Sequence, residues 1–123
     1  MAAYAAFQGG IAFTARLGIL FALYPLWGWI QQFLIQALVV RNLERHRFFS
    51  HPFCLVPASA VLFALVHAPY VPLMLATFGL GLAFTPIYLR WRNLWPLGLY
   101  HGWLGALFYV WVLGRDPLLE AFG

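Results

Sequence analysis

The chain has no lysine, one cysteine and three acidic residues, and each shortage removes a class of protein. Charged residues make up 8% of 123, too few to solvate a soluble globule. Hydrophobic residues make up 64%, and the mean hydropathy is +0.83. With Cys54 alone, neither a disulfide framework nor a cysteine-type zinc site can form. The acids are Glu44, Asp116 and Glu120, all in polar stretches. Seven arginines give a net charge of +4, but they cluster at segment ends instead of forming the basic face that nucleic-acid binding needs. The first fifteen residues lack a basic n-region, so no cleavable signal peptide is expected. The apolar runs are continuous, not alternating, which argues against a β-barrel.

What remains is an all-α fold, a polytopic transmembrane bundle of four to five helices. One membrane-embedded domain is expected over residues 1–123. Tyr4 to Tyr24 form a first apolar stretch, interrupted by Gly9-Gly10 and Arg16; Arg16 can snorkel, pair with another segment, or mark an interfacial stretch. Pro25 is expected to separate it from a second helix, about Leu26 to Val40, because proline suits a helix start. The polar run Arg41–Arg47 follows. A third helix runs from about Pro52 to His67, and a tight turn leads to a fourth, about Leu73 to Leu89. The basic, aromatic loop Arg90–Trp95 precedes a fifth helix ending near Leu113. The two arginine-rich loops, 41–47 and 90–92, are two crossings apart and so share a side, cytoplasmic by the positive-inside rule.

Against this apolar background the polar side chains stand out. Gln31, Gln32 and Gln36 fall in the second helix, His67 ends the third, and His101 lies within the fifth. Polar groups in hydrocarbon are costly unless paired, which makes these the site candidates. Gln32 and Gln36 share one helical face, whereas Gln31 points about 100° away. A purely structural role is open to all of them: glutamines hydrogen-bond across membrane helices, and His67 can bond a free carbonyl at its helix end.

The pattern resembles the CPBP intramembrane proteases, the CAAX-protease or Abi family. That family carries Glu-Glu-x-x-x-Arg, then Phe-x-x-x-His, then His-x-x-x-Asn (or Asp) on successive helices. Here Gln31-Gln32-Phe33-Leu34-Ile35-Gln36 occupies the first motif, Phe63-Ala64-Leu65-Val66-His67 fits the second, and His101-Gly102-Trp103-Leu104-Gly105 occupies the third. His67 falls 35 residues after Gln32 and His101 34 after His67, close to the family spacing. The corresponding core is about 26–113.

The resemblance implies a water-activating role for positions 31 and 32, support of that water or a metal by His67 and His101, and oxyanion stabilisation at position 105. The departures fall on those positions. Amides replace both glutamates and have no useful basicity. Gln36 replaces arginine, and Gly105 replaces the oxyanion donor. Two histidines without a carboxylate or thiolate are too few for catalytic zinc. A histidine can also ligate a pigment or haem, but no second cofactor motif accompanies it; no cofactor is expected.

Two functions follow. One is a pseudo-protease acting as scaffold or accessory subunit in a membrane protein complex. The other is an active, divergent intramembrane peptidase working through His67 and His101. The expected partners are membrane lipids and other integral membrane proteins, not nucleic acid, and the expected location is a bacterial inner membrane.

Overall fold

The computed structural model describes residues 15–115 and Glu120. The start of the first apolar stretch, most of the tail from Asp116, and the side chain of Arg16 lie outside the described residues. Every described element is helical. Helix α1 covers 15–44: it is α-helical over Ala15–Gln32, widens to a π-helix over Phe33–Val40, and tightens again over Arg41–Glu44. Helix α2 is Pro52–Leu65 and α3 is Val71–Trp91. Helix α4 covers 94–112, with a π-helical end over Phe108–Val112.

The break expected at Pro25 does not occur. Proline has no N–H for the Phe21 carbonyl one turn back, yet α1 continues through it. The reason lies on α4, where the Trp103 indole N–H donates to that carbonyl at 3.0 Å. Neighbouring helices can satisfy backbone groups that proline strands in a membrane. The second expected segment is therefore the continuation of the first, and the described residues build four helices.

Helix ends follow local signals. Pro52 opens α2 behind His51, whose Nδ1 accepts from the Phe53 N–H at 3.3 Å. Asn93 caps α4 by accepting from the Trp95 N–H at 3.1 Å. Helix α3 ends at Arg92, which adopts φ 52° and donates its N–H to the Tyr88 carbonyl at 2.7 Å.

The bundle is two helix pairs. Helix α1 packs chiefly on α4, and α2 on α3. Glycine lets the first pair close: a Cβ on Gly28 would strike the backbone of Gly98 and Gly102, and one on Gly102 would strike Pro25. In the second pair, a Cβ on Gly81 would lie 2.8 Å from the Ala60 Cα. An apolar cluster of Val40, Leu55, Phe84, Tyr88 and Leu97 draws on all four helices and joins the pairs at one end.

Residues Gly18–Glu44 and Val71–Trp91 are long and apolar enough to cross a membrane, yet only 28% and 22% of their apolar windows are buried. A soluble core helix would be mostly covered. Here Leu23, Leu26, Leu75 and Ile30 face outward, which suits hydrocarbon surroundings.

Candidate functional site

The polar side chains singled out in the sequence fall where the two pairs meet. Gln32 and Gln36 lie one turn apart on α1, fully buried. The Gln32 Nε2 donates to His101 Nδ1 on α4 at 2.9 Å. Gln36 Nε2 donates to Gln32 Oε1 at 3.3 Å and to Thr85 Oγ1 on α3 at 3.2 Å. One chain of hydrogen bonds thus links α4, α1 and α3. Gln36 Oε1 is buried with no partner among the described residues.

With this amide orientation the His101 proton must sit on Nε2, because Nδ1 is accepting. His67 is poised the other way. It lies in the turn just past α2, and its Nδ1 donates to the Phe63 carbonyl, which only accepts, at 2.8 Å. A neutral His67 therefore keeps its Nε2 lone pair free. The Phe63 ring lies between the two imidazoles, 5.3 Å from His101 and 5.4 Å from His67, edge-on to both. His67 thus meets the polar cluster through the Phe63 ring.

Between the helix pairs lies a cavity of about 670 Å³. Gln31, His67, His101 and Gly105 line it together with Tyr24 and Tyr109, and most of the remaining wall is apolar. The two adjacent glutamines therefore separate: Gln31 faces the cavity, while Gln32 is enclosed at the helix interface. A side chain at position 105 would meet only the Tyr24 ring, at 3.6 Å, so the wall there has room.

The donor set does not suit a catalytic metal. Among the described residues no three His, Cys, Asp or Glu side chains gather, and the Nδ1 atoms of both histidines already have partners. Thr85 was not singled out from the sequence; its only signal is a hydroxyl in an otherwise apolar run. Phe63 was named for its spacing, and its place between the rings was not legible.

At the end of the bundle where α1 and α3 finish, Arg92 makes a two-pronged ion pair with Glu44 and lays its guanidinium 5.3 Å from the Tyr88 ring. The pairing holds the Glu44 carboxyl below its usual range and raises Arg92. The two basic segments thus meet at one end of the molecule.

A family model described as type II CAAX prenyl endopeptidase, Rce1-like, matches residues 13–107. No curated protein and no solved structure matches the chain.

Proposed function

The chain belongs to the Rce1-like family of type II CAAX prenyl endopeptidases, and from that premise we propose that it has given up hydrolysis. It holds an apolar segment of a membrane partner, as scaffold or accessory subunit of a membrane protein complex. The observation that carries this reading is the Gln32–His101 hydrogen bond. A glutamate at position 32 would take the proton of His101 Nδ1 as a hydrogen bond and leave Nε2 as a lone pair. An amide donating to Nδ1 reverses the imidazole and puts its proton on Nε2. The substitution removes the carboxylate and turns the neighbouring histidine from acceptor to donor, so two potential bases are lost together.

The cavity supports retained binding. It is apolar for most of its wall and carries neutral polar groups at His67, His101 and Gln31, as a site that orients a segment without charge would. In this reading the protein sits in a bacterial inner membrane, with the loops at 41–47 and 90–92 toward the cytoplasm by their arginines. Lipids and another integral membrane protein are its partners, and it carries neither cofactor nor nucleic acid.

One observation favours a second reading. His67 lines the cavity with Nε2 unprotonated when neutral, and His101 can present an N–H. That pair could activate water and stabilise an oxyanion in a divergent peptidase. Purified protein assayed on isoprenylated peptides separates the two. The scaffold reading expects no cleavage, and little gain when Gln31→Glu, Gln32→Glu and Gly105→Asn are combined, since Gln36 still replaces the arginine. Robust wild-type proteolysis abolished by His67→Ala would establish the peptidase instead.

A further inference from the structure

A second concave surface lies on the outside of the bundle, away from the central cavity. It is a groove of about 570 Å³ between the start of α2 and the end of α3, lined by Pro52, Phe53, Val56 and Pro57 on one side and Pro86, Leu89 and Arg90 on the other. Its floor and walls are apolar, Phe53 is 86% exposed, and the single charge is Arg90 at its rim. Apolar groups at this depth face acyl chains, so the groove has the shape and polarity for one chain with a headgroup at its mouth.

The charge around that mouth is one-sided. Arg41, Arg45, Arg47, Arg90 and Arg92 lie at this end of the bundle, and Glu44 is the only acid among the described residues there. Arg92 engages Glu44, so Arg45, Arg47 and Arg90 have no carboxylate partner among the described residues. Arg90 is held over the Trp91 ring at 5.3 Å, a contact that fixes the guanidinium near the headgroup level, where exposed Trp91 and Trp95 also lie. Basic pockets between membrane helices on the positively charged side are suited to anionic headgroups.

We propose that this groove is a binding site for an anionic phospholipid, one acyl chain lying along Pro57 and Pro86 and the phosphate pairing with Arg90. The site is separate from the central cavity and does not depend on whether hydrolysis survives. A free phosphate offers the same charge without the chain, so the test must separate them.

The full chain, purified in a neutral detergent, is titrated with phosphatidylglycerol, with phosphatidylcholine of the same chains, and with inorganic phosphate, and bound lipid is counted by native mass spectrometry. The expected result is one tightly held phosphatidylglycerol, preferred over phosphatidylcholine by about fivefold or more, the contribution of one arginine near an anionic headgroup. Arg90→Gln, on an exposed side chain, removes most of that preference, while Arg45→Gln leaves at least half of it. Val56→Trp, which fills the groove, weakens both lipids. Equal binding of the two lipids, or equal losses in Arg90→Gln and Arg45→Gln, would overturn the site. Displacement of the lipid by an equal concentration of inorganic phosphate would show an ion site and overturn the lipid assignment.

Discussion

Gly28→Ala tests whether close approach of α1 and α4 is what builds the polar cluster. Gly28 lies one turn before Gln32, on the face that meets α4. A methyl there would collide with the Gly98 carbonyl and the Gly102 backbone, none of which can rotate away. The helices must separate instead. Overpacking of this kind costs about 1–3 kcal/mol. Separation also stretches the Gln32–His101 bond from 2.9 Å, adding about 0.6–2 kcal/mol for an interhelical hydrogen bond. Better helix propensity returns at most about 1 kcal/mol, so a net loss of about 1–4 kcal/mol is expected. Gly79→Ala is the control, because a Cβ there meets nothing within 4 Å; it should be neutral or stabilising by up to about 1 kcal/mol. Equilibrium unfolding of both variants in detergent by steric trapping measures the difference. If the two agree within about 0.5 kcal/mol, below the smallest loss expected for overpacking, the glycine contact does not set the helix spacing and the argument fails.

Trp103→Phe keeps an aromatic ring but leaves the Phe21 carbonyl without its donor, and should cost about 1–3 kcal/mol. Pro25→Ala supplies a backbone N–H to the same carbonyl, so the Trp103→Phe loss should shrink in that background; a strictly additive double mutant would refute the substitution of one donor for another. In Gln32→Glu, nitrogen-15 chemical shifts should show the His101 proton moving from Nε2 to Nδ1, and an unchanged tautomer would remove the argument about lost bases. Water-soluble thiol reagents should label Arg45→Cys and Arg90→Cys from the same membrane face; labelling from opposite faces would break the link made by Glu44 and Arg92. That link should persist at neutral pH and loosen only as acidity rises through the lowered Glu44 range, because pairing depends on the ionised carboxylate.

Composition and long apolar runs made the helical bundle legible, and the loops at 41–47 and 90–92 could be placed together by counting crossings. Pro25 could not be read locally. Whether a proline ends a helix depends on whether something else satisfies the carbonyl it strands, and that donor, Trp103, lies on α4. The same limit applied to the site. Spacing identified Gln32, His67 and His101, and the alternative that His67 bonds a carbonyl at its helix end describes the observed contact with Phe63. The helical offset of about 100° already set Gln31 apart from Gln32 and Gln36, but it could not say which face meets the cavity and which is enclosed between helices, nor supply Thr85 as the third helix's contribution. Those assignments depend on which helix faces which, a property of the pairs and not of any one segment.

The choice of amides at positions 32 and 36 carries its own physical argument. If hydrolysis were lost and nothing else mattered, leucine would suit both positions in an apolar bundle. Leucine at 32 would leave His101 Nδ1 buried without a partner, and a buried unsatisfied group costs about 1–3 kcal/mol. Leucine at 36 would take a donor from both Gln32 Oε1 and Thr85 Oγ1, set against the one buried oxygen, Gln36 Oε1, that it would remove. Glutamate would meet the histidine but bring a charge into the bundle with no arginine at position 36 to balance it. Glutamine alone bridges a ring nitrogen, a second amide and a hydroxyl while remaining neutral. On the proposed reading the polar cluster is kept for what it does between helices, and the hydrogen bonds that make it a good joint are the same ones that would leave it without a base.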